Sequence, residues 1–234
     1  MKVEITNHTE RDHWDLIPRS QLPPGSETIM SVWSLKRKRL PDGTICKYKA
    51  RLCAHCGQQQ RGIDYWETYA FVVQGISVRT LLILSEIYGL KSGSIDFVLD
   101  FPQADLDAPV FIRLSIGFDV EDDPNGAYVL QLKKNLYGLK QAAKNWFDML
   151  SDGLIARDFV PSAIDPCVYY RRNVIILLDT DDCIIFAKEQ KTIDGIIKSL
   201  NDGPENYDFT NDGDLKHYVG VDIIRNSPGA FELR

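Results

Sequence analysis

The stretch Ile176-Leu-Leu-Asp-Thr-Asp-Asp-Cys-Ile-Ile-Phe186 sets three carboxylates, Asp179, Asp181 and Asp182, inside an otherwise apolar run. An unpaired buried carboxylate is costly enough that it ordinarily shifts its pKa and neutralises. The charge therefore needs a compensating cation, a turn open to solvent, or both. A β-hairpin formed by residues 175–178 and 183–187 supplies the turn, with Asp181 and Asp182 at or beside it. Neighbouring residues of a strand face opposite ways, so the Asp-Asp pair need not share one ligand. If one of them faces the sheet surface, a second strand must bring another carboxylate alongside. Asp96, in Gly93-Ser-Ile-Asp-Phe-Val-Leu-Asp-Phe-Pro-Gln103, heads such an apolar segment. Mg²⁺ prefers carboxylate oxygens and substrate phosphates to an all-protein cage. A two-metal arrangement activates an attacking hydroxyl and stabilises a leaving pyrophosphate. A plain polar hairpin turn fits the same residues equally well.

The 234 residues suffice for one large domain or two lobes that bury roughly 70% of the unfolded surface. With 44% hydrophobic and 26% charged residues, the composition is that of a globular chain and excludes disorder throughout. The five cysteines, Cys46, Cys53, Cys56, Cys167 and Cys183, are odd in number, and the first residues do not resemble a cleaved leader. Both points suggest a reducing intracellular setting. The longest apolar run, residues 174–178, is far too short to cross a bilayer, so no membrane partner is expected. A net charge of −6 argues against a general basic coat for nucleic acid. Yet Lys36, Arg37, Lys38, Arg39, Lys47, Lys49 and Arg51 crowd one short stretch against the single Asp42. One lobe can thus meet phosphates while another holds cations.

Along the chain, residues 1–30 are polar and proline-punctuated, which predicts a loose arm ending in a turn. Residues 32–40 and 45–53, joined by Pro41-Asp-Gly43, read as a hairpin carrying the basic cluster on both arms. Residues 77–88 predict a helix capped by Gly89. Strands are expected at 95–101, 110–114 and 128–132, and a helix from Leu139 with Ala143, Trp146, Phe147, Leu150 and Leu154 on one face. Strands follow at 168–170 and 174–186, then a helix at 193–200 and an apolar strand region at 215–224. Mixed elements without regular βαβ spacing predict an α+β fold with a mostly antiparallel sheet.

An ordered series of motifs then carries a resemblance. It comprises Trp14-Asp-Leu-Ile-Pro-Arg-Ser-Gln21, Trp33-Ser-Leu-Lys-Arg-Lys-Arg39, Lys47-Tyr-Lys-Ala-Arg-Leu52 and Gly62-Ile-Asp-Tyr-Trp-Glu-Thr-Tyr-Ala70. Further along come Ile95-Asp-Phe-Val-Leu-Asp-Phe-Pro-Gln-Ala-Asp105, Leu136-Tyr-Gly-Leu-Lys-Gln-Ala142, Asp181-Asp-Cys-Ile-Ile-Phe186 and Leu215-Lys-His-Tyr-Val-Gly-Val-Asp-Ile223. From about residue 14 to its end the chain resembles the reverse transcriptase domain of copia-type (Ty1/copia) long-terminal-repeat retrotransposons. The resemblance implies a right-hand polymerase, α+β, with fingers and an antiparallel palm sheet packed by helices. It apportions the chain as an arm (1–30), fingers (31–90), palm (91–120), fingers again (121–145) and palm again (146–234). Asp96, Asp181 and Asp182 match the family's catalytic, metal-binding aspartates, with Mg²⁺ or Mn²⁺ as cofactor. Lys49 and Arg51 match cations that meet the triphosphate, although a solvated charged hairpin reads the same way. Phe101 matches the ring that collides with a ribose 2′-hydroxyl, or else is a core residue of a strand. Gln141 opens the helix that lies beneath the template, and Asp222 with residues 218–221 matches the support of the primer end. The implied partners are an RNA or DNA template with its primer and deoxynucleoside triphosphates. The implied setting is cytoplasmic, within a virus-like particle in a complete element.

Departures from the family pattern are equally legible. Asp179 stands where an aromatic precedes the aspartate pair, Asp100 where a small residue adjoins Phe101, Phe71 where proline is usual, and Cys56 where glycine is usual. A glycine with positive φ at position 56 would leave the cysteine strained. Added carboxylates near Asp96, Asp181 and Asp182 are expected to raise pKa values. Cys53, His55 and Cys56 are spaced too tightly for a zinc signature. The thumb and ribonuclease H portions are not seen in the sequence, which suggests a truncated copy. The alternative to an RNA-directed DNA polymerase is a non-catalytic remnant that binds nucleic acid through the basic hairpin.

Overall fold

The computed structural model describes residues 1–40, 42–118, 126–215, 217–218, 221–227 and 230–233; beyond residue 215, Ile223 is the one residue whose side chain is described. In chain order the elements begin α1 (Lys2–Glu10), β1 (Trp14–Pro18), β2 (Thr28–Ile29), β3 (Ser31–Arg39), β4 (Ile45–Ala54), α2 (Gly75–Ile87) and β5 (Lys91–Phe97). They continue α3 (Asp100–Gln103), β6 (Phe111–Arg113), β7 (Tyr128–Leu132), α4 (Ala142–Ile155), β8 (Val160–Pro161), β9 (Val168–Arg171) and β10 (Val174–Asp179). The last are β11 (Asp182–Ala187), α5 (Gln190–Asn201), β12 (Phe209–Gly213), β13 (His217–Tyr218), β14 (Val221–Ser227) and β15 (Ala230–Leu233). The chain separates into two units, one of residues 1–69 with 101–145 and the other of residues 70–100 with 146–234.

The second unit is organised by a six-stranded sheet in the order β12-β5-β11-β10-β9-β8, every pairing antiparallel. Alternation along its strands gives it two apolar faces. On one, Leu177, Ile184 and Phe186 pack with Leu82 of α2 and with Leu215 and Ile223. On the other lie α5, whose Ile193, Ile196 and Leu200 repeat at helical spacing and are buried, and Trp146 of α4, edge-on to Phe97 at 5.0 Å. Each such side chain stabilises by about 1.5–3 kcal/mol on burial. Gly93 is required where α5 crosses β5, because a Cβ there would overlap Ile193.

The first unit holds a four-stranded sheet, β1-β7-β6-β2, and the β3–β4 ribbon. Trp14, Leu52, Ile112, Leu130 and Leu136 lie in its core. The predicted basic hairpin is present as β3 and β4, with Asp42 Oδ1 accepting the Thr44 N–H at 2.9 Å in the turn; Pro41 lies outside the described residues. The helices expected at 77–88, from 139 and at 193–200 are present as α2, α4 and α5, and the strand at 128–132 is β7.

Two expectations need correction. The first thirty residues are not a loose arm: they form α1, β1 and β2, and β1 pairs along its whole length with β7. A polar composition hid this because α1 buries one residue, His8. That imidazole is fully buried, stacks on Trp14 at 4.9 Å and has its Nδ1 2.8 Å from His13 Nδ1. The strand expected at 95–101 stops at Phe97, since Leu99 adopts φ 50° and the chain then turns into α3. A single left-handed residue is enough to break the ladder. The apolar region at 215–224 divides into β13 and β14, and Lys216, Val219 and Gly220 lie outside the described residues.

Burial, followed by the charges of His8, Arg11 and Lys134, pushes the His13 pKa down from 6.5 to about 4. The folded state then holds fewer protons than the unfolded one between those values, so this contribution is complete above pH 6.5 and is lost as pH falls towards 4. The melting temperature should fall over that interval, and His13→Asn, which keeps a polar atom near the Nδ1 position, should flatten the fall. Equal slopes for the two proteins in thermal melts would refute the assignment.

Candidate active site

The β10–β11 hairpin closes on a two-residue turn, Thr180–Asp181, with Asp179 paired to Asp182. Thr180 takes φ 53°, an unfavourable conformation for a β-branched residue. Such a turn persists only where its surroundings hold it. Here the Trp146 indole N–H donates to the Thr180 carbonyl at 2.7 Å, and the Phe97 N–H donates to the Asp181 carbonyl at 2.8 Å.

Register does the rest. Asp182 of β11 lies opposite Asp96 of β5 and, on its other side, opposite Asp179 of β10, while Thr210 of β12 lies opposite Asp96. Directly opposed residues share a face, with Cβ atoms about 4.5–5.5 Å apart. Asp96, Asp182 and Asp179 therefore form one row across three strands, with Asp181 at the adjoining turn. Like charges so placed repel. Burial first, then Asp181, Asp96, Asp179 and Asp212, pushes the Asp182 carboxyl up to about 6. Asp179 is also raised, by burial and by Asp181, against the opposing effect of a Val73 N–H.

Among the described residues no group of three His, Cys, Asp or Glu side chains is gathered in a geometry that holds a metal ion. The donor chemistry nevertheless fits a hard divalent cation: the row offers carboxylate oxygens alone, and their mutual repulsion is what such a cation relieves. Cys53, His55 and Cys56 form no metal group either.

In the first unit two of the other predicted residues, Arg51 and Phe101, meet around one aromatic ring. The Arg51 guanidinium lies 4.5 Å over Tyr137, and Phe101 packs against the same tyrosine at 5.4 Å. Phe101 is partly buried and belongs to α3, not to a strand. Lys49 and Arg51 share one face of β4, as alternation predicts. Lys36 lies opposite Lys49 and Lys38 opposite Lys47, giving that face two like-charge pairs. Gly138, at φ 86°, permits the close approach: a Cβ would overlap the Ala54 carbonyl, and the Ala54 N–H donates to the Tyr137 carbonyl at 2.7 Å. Gln141 is fully buried, accepting from Gln59 and donating to the Asp64 carbonyl. Its amide braces the unit from within. The Asp222 side chain lies outside the described residues.

The departures resolve individually. Asp179 joins the row, whereas Asp100, though buried, is not among the charges that raise Asp182. Cys56 lies in a short 3₁₀ turn and does not take positive φ, so the anticipated strain is absent. Phe71 packs on Phe147 at 5.3 Å. Sequence reasoning missed Asp212, the turn-holding role of Trp146 and the central place of Tyr137. Of these, only Tyr137 lay inside a motif already singled out.

The sequence profile described as reverse transcriptase (RNA-dependent DNA polymerase) matches residues 11–233. The chain is 31% identical over 211 residues to the retrovirus-related Pol polyprotein from transposon TNT 1-94 of Nicotiana tabacum, covering 88% of this chain and 15% of that protein. It is 30% identical over 234 residues to that from transposon RE1 of Arabidopsis thaliana, covering 98% and 15%. It is 27% identical over 233 residues to the transposon Ty1-NL2 Gag-Pol polyprotein of Saccharomyces cerevisiae, covering 94% and 12%. The chain thus spans about 15% of the length of the first two of these relatives. An apo telomerase structure from Candida tropicalis aligns at 11% identity and a TM-score of 0.46, over 100% of this chain and 60% of that one, a likeness too slight to carry an argument. On its profile and its relatives, this chain belongs to the reverse transcriptase (RNA-dependent DNA polymerase) family, in the Ty1/copia-type group of retrotransposon Pol polyproteins.

Proposed function

We propose that the chain is the polymerising portion of a retrotransposon Pol polyprotein, which extends a primer 3′-hydroxyl with deoxynucleotides on an RNA or DNA template. The observation that carries this reading is the row of Asp96, Asp182 and Asp179 beside Asp181. In this reading residues 31–90 and 121–145 are fingers and residues 91–120 and 146–234 are palm, so each of the two units carries parts of both. Asp96, Asp181 and Asp182 would hold Mg²⁺ or Mn²⁺. When bound, such ions supply Lewis acidity at the reacting oxygens. The protein's own part is alignment and charge placement. The carboxylates fix where cations gather, and the strained, doubly held turn keeps Asp181 beside the row. Arg51, oriented on Tyr137, offers a fork for phosphate oxygens, and Lys49 adds a point charge on the same face. Phe101, braced by Tyr137, would exclude ribonucleotides.

A second reading, a nucleic-acid-binding remnant without chemistry, is favoured by Asp179, whose charge the family pattern lacks, and by the opposed lysines of the ribbon. Primer extension on poly(rA)/oligo(dT) separates the two. The polymerase reading expects Mg²⁺- or Mn²⁺-dependent extension that falls by about 100-fold or more in Asp181→Ala. Salt-sensitive binding with no extension from folded protein would instead leave the remnant reading.

The raised Asp182 pKa gives a test that does not use activity. A carboxylate whose folded pKa lies near 6, above its value of 3.8, binds protons more strongly in the folded state. Its destabilising effect is fully present above pH 6 and is relieved as pH falls towards 4. In EDTA, Asp182→Asn should therefore raise the melting temperature at pH 7.5 and leave it nearly unchanged at pH 4. Asp179→Asn should do the same to a smaller extent. A melting temperature at pH 7.5 that is unmoved by both substitutions would show that the row carries no such repulsion.

A further inference from the structure

On the face of the six-stranded sheet opposite the carboxylate row, a cavity of about 220 Å³ opens between β9, α5 and the segment that follows α4. Its side follows from register: Arg171 pairs with Val174, an odd number of residues from Asp179 on the same strand, so the two face opposite ways. In a chain of net charge −6, the lining carries Arg157, Arg171 and Lys191 and no carboxylate.

The three cations are not equivalent. Arg157 is locked in place, donating to Glu205 at 2.6 Å, to the Gly153 carbonyl at 2.6 Å and to both the carbonyl and hydroxyl of Ser199. Glu205 lies outside the lining and balances that charge. Arg171 spends one donor on the Arg157 carbonyl at 2.6 Å and is held 4.5 Å over the Phe159 ring. The rest of its guanidinium fork remains for a ligand. Lys191, exposed in the first turn of α5, adds a point charge, and Thr192 and Ser199 add hydroxyls. Gly195 leaves the wall open, since nothing lies within 4 Å of a Cβ built on it.

An oriented arginine fork, a lysine and two hydroxyls match the oxygens of a phosphate better than a flat carboxylate. The cavity is smaller than the roughly 300–1,000 Å³ typical of drug-sized ligands, which suits a single phosphate group and not a whole nucleotide. We propose that this cavity binds a phosphate group, either free or carried as a small phosphomonoester. The cavity faces away from the carboxylate row and shares no residue with those proposed for polymerisation, so it stands or falls independently of that reading.

The test is titration of the full chain with inorganic phosphate and, separately, glycerol 3-phosphate, at constant ionic strength without divalent metal, followed by calorimetry and amide chemical shifts. Saturable binding is expected, at least tenfold weaker in Lys191→Gln and abolished in Gly195→Glu, which sets a carboxylate in the cavity mouth. Both positions are exposed, so these variants should fold. Asp182→Asn should bind as the parent does. Tighter binding of the ester would assign the source to a phosphorylated small molecule, and equal binding would assign it to free phosphate. Absence of saturable binding, equal affinity in Gly195→Glu, or equally tight binding of acetate would overturn the proposal.

Discussion

The second unit depends on β11 running antiparallel between β5 and β10. Backbone ladders on both edges of that strand fix which residues stand opposite one another, and they do so without regard to charge. At the inner end the opposed residues are Leu177, Ile184 and Phe186, whose burial stabilises the sheet. At the turn end the same geometry opposes three carboxylates. The repulsion there is offset by apolar packing further down the strands, so the structure separates the part that holds the fold together from the part that holds charge in tension. A carboxylate row of this kind is tolerable in water only because its turn end is open, and it becomes favourable when a cation joins it.

The first unit works by stacking instead of register. Tyr137 lies between a guanidinium and a phenylalanine, and its place is secured by a glycine that brings the neighbouring backbone against Ala54. The same segment supplies Gln141, whose buried amide ties the loop of Gln59 and Asp64 to the start of α4. One short motif therefore sets both the aromatic platform and the frame behind it.

Much of this was legible in the sequence, because the main signals are periodic. The alternation around Asp179 to Asp182, the apolar helix faces of α4 and α5, and the basic ribbon all follow from local spacing. Asp96 was legible only as a carboxylate heading an apolar run, and its alignment with Asp182 required the pairing of strands distant in sequence. Interactions between such distant residues account for what was missed. Asp212 reaches the row because β12 pairs with β5, and nothing near Phe209 announces that. Trp146 reads as an ordinary helix-face aromatic until its N–H is seen on the Thr180 carbonyl. Residues 2–10 look unstructured because their helix has no apolar stripe, burying His8 and packing Ile5 against the core.

The two-residue turn at Thr180–Asp181 acts as a ruler. With no spare residue in the loop, the spacing between the last residue of β10 and the first of β11 is set by chain length alone. Side chains on a strand alternate, so a one-residue shift of β11 would carry Asp182 to the face packed by α5 and Trp146 and bring Cys183 into the row. The chain's coding capacity for this site is thus phased as strictly as a reading frame. Substitutions in the hairpin change what each position offers, whereas a single insertion or deletion changes which positions face the row at all.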